Sequence, residues 1–291
     1  MNIRTIFFAT FFGCCLLIGG INTGCQRVSG NSDGCDIYVT IAPLKYIVEQ
    51  ITGDDFDIRI LVPAGASPET FEPTPKQYIS LNEAQMIFST GLIEFETTLL
   101  DRIGDKSHIV NLSRNIALIE GSCSHNHTTE EHHHGVDPHI WTSPRELKTI
   151  ARNAYDAIMA QYPDSTKYSE AYNRLAHQIE QLDEECRQRC GASSARAFIV
   201  YHPALTYYAR AYSIEQIAVE TDGKEPSAKH IAEIIEQVET KGVKCLLYQK
   251  EYPRSVVEVL ADDTGLEPQE INPLAENPLE FIRQTTNLIT R

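Results

Sequence analysis

The chain has 291 residues, with 25 Lys and Arg against 40 Asp and Glu, and a formal charge of −15. That length allows two lobes of about 100 to 150 residues, each burying its own core. The charge excludes nucleic acid as a partner, because nothing gathers positive charge to neutralise phosphates, and it suits a protein that meets cations.

Residues 1–25 carry one positive charge at Arg4 and then an apolar run over 6–21. That run is too short for a spanning helix and matches an export signal. Thr23 and Gly24 before Cys25 form the arrangement of a bacterial lipoprotein cleavage site, to which Asn22 is an imperfect fit. Residues 1–24 are therefore expected to leave as a signal peptide. Cys25 then carries the lipid, and the polar residues 25–35 serve as a tether at a periplasmic membrane surface. The alternative is a plain cleaved signal. Past Cys25 the chain has five cysteines, Cys35, Cys123, Cys186, Cys190 and Cys245. An odd number with no CxxC pair is neither a disulfide scaffold nor a zinc ribbon, and Cys186 and Cys190 are poorly spaced to bridge each other, although either has Cys245 as an available partner.

From Asp36 onward, short apolar, β-rich runs alternate with helical patterns, as in an α/β domain. Strands are predicted over 37–42, 57–62, 86–90 and 108–113, with helices from Pro43 to 51, over 76–83 and over 94–103. A Gly- and Pro-punctuated loop, PAGASPETFEPTP, follows the second strand at 63–75. After residues 121–143 come a helix over 144–161 and a longer one over 164–190. In the longer one, Tyr168, Ala171, Tyr172, Leu175, Ile179 and Leu182 recur at helical spacing. At 1.5 Å per residue it spans roughly 40 Å, the width of a lobe, and it reads as the link between two halves. The second half repeats the scheme, with strands over 197–201, 213–219, 244–249 and 268–271. Its helices cover 204–212, a stretch capped by Ser227 and ended near Gly242, 253–264, and the region from Pro278 onward. The expected fold is thus α/β: two lobes, 36–163 and 191–291, each a central sheet flanked by helices, joined by the linking helix 164–190.

Six of the ten histidines lie in residues 125–144, HNHTTEEHHHGVDPHIWTSP. His125, His127, His132, His133 and His134 stand in a polar segment without apolar period, within a His-rich loop over 123–135. It reads as a mobile loop whose imidazoles collect a divalent metal. His139 differs: Asp137-Pro138 precedes it, Ile140 and Trp141 follow, and burial of those two would hold it in place. Glu69, His139, His202 and Asn272 each follow a predicted strand. In open α/β sheets, binding residues sit at the carboxyl ends of strands, so the four are expected to face a common crevice between the lobes. Two imidazoles and a carboxylate suit zinc, and manganese or iron also accept them; the asparagine adds a neutral oxygen. Taken singly, each has a duller explanation: a hydrogen-bonding histidine, a turn-capping Glu69, an Asn272 in ordinary Asn-Pro turn chemistry.

GASPETFEPTP, DPHIWTSP, FIVYHPALTYYARAY, EPSAKHI and INPL, in this order from Asp36 to the C-terminus, resemble the zinc- and manganese-binding solute-binding lipoproteins of bacterial ABC importers. The resemblance implies two α/β lobes joined by a long helix, a metal in the cleft, and a His-rich loop where 125–134 stand. It also implies a monomer that binds Zn²⁺, with Mn²⁺ or Fe²⁺ as alternatives, and delivers it to an ABC permease without being an enzyme. His139 and His202 match the second and third ligands of that family. Glu69 stands where the family usually has a histidine, and Asn272 where it usually has an aspartate, so the site keeps one negative ligand. A zinc hydrolase is the rival reading. It lacks HExxH, and only Glu72 and Glu220 are available as general base.

Overall fold

A computed structural model describes residues 36–120, 135–220, 224–252 and 254–291. The export signal, Cys25 and the histidines at 125, 127, 132, 133 and 134 lie outside the described residues. The first sheet comprises β1 (Ile37–Val39), β2 (Ile58–Ile60), β3 (Met86–Ser89) and β4 (Ile109–Asn111), in the order β2-β1-β3-β4. The second comprises β5 (Ala197–Val200), β6 (Glu215–Ala218), β7 (Leu246–Gln249) and β8 (Pro268–Ile271), in the order β6-β5-β7-β8. Every pairing is parallel, which explains the continuous apolar runs: both faces of such a sheet are covered by helices. Both sheets share one topology, although no repeat of residue identity is visible in the sequence.

The helices of the first half are α1 (Ala42–Thr52), α2 (Pro75–Glu83), α3 (Glu94–Asp101) and α4 (Pro144–Gln161). α2 begins with a capping box, in which Thr74 Oγ1 accepts from Gln77 N–H and Gln77 Oε1 accepts from Thr74 N–H at 2.8 Å. The linking helix α5 runs from Thr166 to Ala192, 27 residues, and continues through Gly191. Its buried stripe is Tyr168, Ala171, Leu175, Ile179, Leu182, Cys186 and Cys190. That stripe packs on α1 and α4 at one end, and at the other on α6 (Thr206–Tyr212) and α9 (Pro278–Ile289). Between these last two come α7 (Ala228–Lys241), capped by Ser227 and ended by Gly242 at φ +62°, and α8 (Arg254–Thr264). Cys186, Cys190 and Cys245 are buried free thiols, so neither helix cysteine takes up the partner available at Cys245.

One apolar core runs from the first sheet through α4 and α5 to Phe198, Val200 and Leu247 of the second. A smaller cluster, including Ile199, Ile217, Ile234 and Leu260, fills the other face of the second sheet. The lobes thus share packed side chains as well as α5. Among the described residues no helix is long and apolar enough to cross a membrane.

Candidate metal centre

Glu69 lies in the loop between β2 and α2, and His202 stands two residues past the end of β5. His139 precedes a single 3₁₀ turn, Ile140–Thr142, that leads into α4. The three come together: one ligand atom from each lies within 4.8 Å of the others. His139 Nε2 and His202 Nε2 are 3.4 Å apart, and His202 Nε2 is 2.8 Å from Glu69 Oε1. Around tetrahedral zinc, with Zn–N near 2.0–2.1 Å, neighbouring ligand atoms stand about 3.3 Å apart. The two nitrogens already have that spacing. The cavity they line is about 20 Å³, room for one ion or one water.

Each imidazole is oriented from behind. Asp137 Oδ1 accepts from the backbone N–H of His139 and lies 2.9 Å from its Nδ1. Glu220 Oε2 lies 3.1 Å from Nδ1 of His202. In each ring Nδ1 faces a carboxylate, a partner that keeps the proton on Nδ1 when a metal takes the Nε2 lone pair. Gln249 clamps the His202 backbone, its Oε1 accepting His202 N–H at 3.2 Å and its Nε2 donating to His202 C=O at 2.9 Å. His139 is fastened to the second half of the molecule. Trp141 donates its indole N–H to Pro273 C=O at 2.8 Å, Tyr207 donates to Asp137 C=O at 2.8 Å, and Thr142 Oγ1 reaches Ala204 C=O at 2.9 Å.

Burial opposes charge on His202, but the Glu220 and Glu69 carboxylates outweigh it and push its pKa up to about 9 in the metal-free protein. For Asp137, burial acts to raise the pKa. The His139 ring and the hydrogen bonds from His139 and Thr206 outweigh it, holding the carboxyl below its usual range.

Asn272 does follow β8, but the structure does not bring it to this cavity. It is exposed, its Oδ1 accepts Leu274 N–H at 3.0 Å, and it lines a neighbouring cavity with Lys250 and Glu270. From its loop, Pro273 and Leu274 line the pocket instead. The turn has taken the side-chain oxygen expected as a ligand. Glu72 lines a separate cavity that also touches Glu69, and Glu220 faces His202 Nδ1, on the side of the ring away from the cavity. Neither is placed as a general base on a bound water. Asp137, Gln249 and Tyr252 were not read as site residues, and Glu220 was read only as a candidate general base, although Glu220 lies two residues past β6 and Gln249 ends β7, positions the strand-end rule covers.

The family described as ZnuA, zinc-uptake complex component A, periplasmic, matches residues 37–290. The chain is 27% identical over 279 residues to the high-affinity zinc uptake system protein ZnuA of Bacillus subtilis (strain 168), covering 90% of this chain and 86% of that one. It is 25% identical over 266 residues to the zinc-binding lipoprotein AdcA of Streptococcus pneumoniae (strain ATCC BAA-255 / R6), covering 88% of this chain and 53% of the relative, so it spans about half of AdcA. A crystal structure of ZnuA superposes with a TM-score of 0.78 at 28% identity, covering 89% of this chain and 98% of that one. Zn(II)-bound AdcA from Streptococcus pneumoniae superposes at 0.73 with 21% identity, over 89% and 58% of the two chains, a likeness of fold. On the match across 37–290, the chain belongs to the ZnuA family of zinc-uptake complex components.

Proposed function

We propose that this chain captures Zn²⁺ in the cleft through Glu69, His139 and His202, with water at the fourth position, and hands it to an ABC permease. The observation that carries the reading is the convergence of three ligand atoms from separate loops, two of them at the nitrogen spacing of tetrahedral zinc. The names of the relatives, a zinc uptake protein and a zinc-binding lipoprotein, support zinc over manganese or iron. The protein is a binding component and not an enzyme, as its family is. It works as a monomer, with lobes 36–163 and 191–291 and linking helix 164–190. Lipid on Cys25 holds it at the periplasmic membrane surface. The His-rich loop raises the local metal concentration. The shared core and α5 resist hinge bending, so release comes from movement of the ligand loops, that around Glu69 first.

The test is competitive titration of the mature chain, and of a variant lacking 125–134, with Zn²⁺ and Mn²⁺ against a chromogenic chelator. The loop-deleted protein is expected to bind one Zn²⁺ tightly and to bind it far more weakly in Glu69→Ala, His139→Ala and His202→Ala alike. Retention of parental affinity in those variants would refute the assignment.

A further inference from the structure

The connection from β7 to α8 brings Tyr252 to the pocket from the opposite half of the molecule to Glu69. Its ring stacks on that of His202, with centroids 5.3 Å apart and planes 13° apart, and lies against Tyr201 at 5.0 Å. Its hydroxyl is 3.4 Å from Glu69 Oε2, the outer limit of a hydrogen bond. The other carboxylate oxygen, Oε1, faces His202 Nε2 at 2.8 Å. The two oxygens of Glu69 thus have separate addresses, Oε1 toward the ligand nitrogens and Oε2 toward the phenol of the other lobe.

Resting on the reading of Glu69 as a ligand, we propose that Tyr252 is a positioning and specificity-determining residue: it holds Glu69 Oε2 away from the ion, so that Glu69 contributes one oxygen. The physical reason lies in coordination number. Zinc is satisfied by four ligands, here two nitrogens, one carboxylate oxygen and water. Larger oxygen-preferring cations gain from a carboxylate that chelates with both oxygens. A phenol that donates to Oε2 withholds that second oxygen, which leaves a four-coordinate site and disfavours Mn²⁺. The same contact ties the Glu69 loop to the face that carries His202, so it also slows release.

Tyr252→Phe keeps the stacked ring and removes the hydroxyl alone. In the variant lacking 125–134, titrated with Zn²⁺ and Mn²⁺, it is expected to weaken zinc by about tenfold or more, the usual effect of losing a partner that orients a metal ligand. Manganese affinity is expected to hold or rise, so the Zn/Mn ratio narrows. In a Glu69→Ala background, Tyr252→Phe is expected to change nothing further. Substituted Co²⁺ supplies a signature that a merely structural role would not move: intense four-coordinate visible bands in the parent, weaker five-coordinate bands in Tyr252→Phe. Unchanged zinc affinity, metal ratio and Co²⁺ spectrum would overturn the proposal, as would losses that add fully in the double variant. Absence of zinc binding in the parent would instead overturn the metal-site reading on which it rests.

Discussion

Replacing Asp137 by alanine isolates what the carboxylate behind His139 contributes. Asp137 is 6% exposed, and its Oδ1 accepts from the His139 backbone N–H and faces Nδ1, each at 2.9 Å. Without it the ring is free to turn and to carry its proton on Nε2, the atom that faces the ion. Losing such a partner weakens metal binding by about 10- to 100-fold, or about 1.4 to 2.8 kcal/mol. The stranded His139 N–H adds about 1–3 kcal/mol of destabilisation to the metal-free fold. Chelator competition measures the first effect, and urea unfolding with and without zinc the second. A saturating ion stabilises in proportion to RT ln(1 + [L]/Kd), so the gap between metal-free and loaded stability is expected to shrink by the same 1.4 to 2.8 kcal/mol or so at fixed zinc. A folded Asp137→Ala protein that binds zinc within twofold of the parent would refute the claim that this carboxylate sets the ligand's tautomer and orientation.

His202 makes metal-free stability depend on pH. Its folded pKa, about 9, lies above the ordinary 6.5. The ring's contribution, about 3 kcal/mol, is therefore fully present below pH 6.5 and lost as pH rises through 9. The thermal midpoint of the metal-free protein should fall across that window, and should fall less in His202→Gln; equal slopes would contradict this. Zinc must also displace that proton, so calorimetry at pH 7.5 in buffers of different ionisation enthalpy should show release of about one proton from this ring, and no release would count against it. Trp141→Phe leaves Pro273 C=O without its donor and a gap at a 1%-exposed position; a loss of about 2–4 kcal/mol in urea unfolding is expected, and under 1 kcal/mol would contradict it. Gly91 has φ +68°, and a Cβ there would stand 2.9 Å from Asn111 Nδ2. Gly91→Ala should therefore lower stability by about 1–2 kcal/mol, and a neutral result would show that the turn relaxes.

The fold was largely legible because parallel strands buried on both faces leave uninterrupted apolar runs. The runs overstated strand lengths: Leu61 and Val62 are buried and bonded to Val39 and Thr40, yet lie beyond β2. The linking helix was expected to stop at 190, but α5 runs on through Gly191 to Ala192, since one glycine lowers helix stability without ending the hydrogen-bond ladder. Glu69, His139 and His202 were legible from strand-end position, although that rule also pointed to Asn272, whose oxygen the Asn-Pro turn had claimed. The residues behind the ligands were harder to find. Glu220 lies 18 positions from His202, Gln249 47, and Tyr252 183 from Glu69. No periodicity or motif spans such separations; only the packed topology joins them.

X-ray absorption at the zinc edge, on the mature chain lacking 125–134 and loaded with one equivalent, bears most directly on the cleft as the place where the cargo is held. The predicted first shell is nitrogen and oxygen at about 2.0–2.1 Å, with the outer-shell scattering of two imidazoles, and it disappears in His202→Ala. A sulfur shell near 2.3 Å, or a spectrum unchanged by His202→Ala, would mean that zinc binds elsewhere.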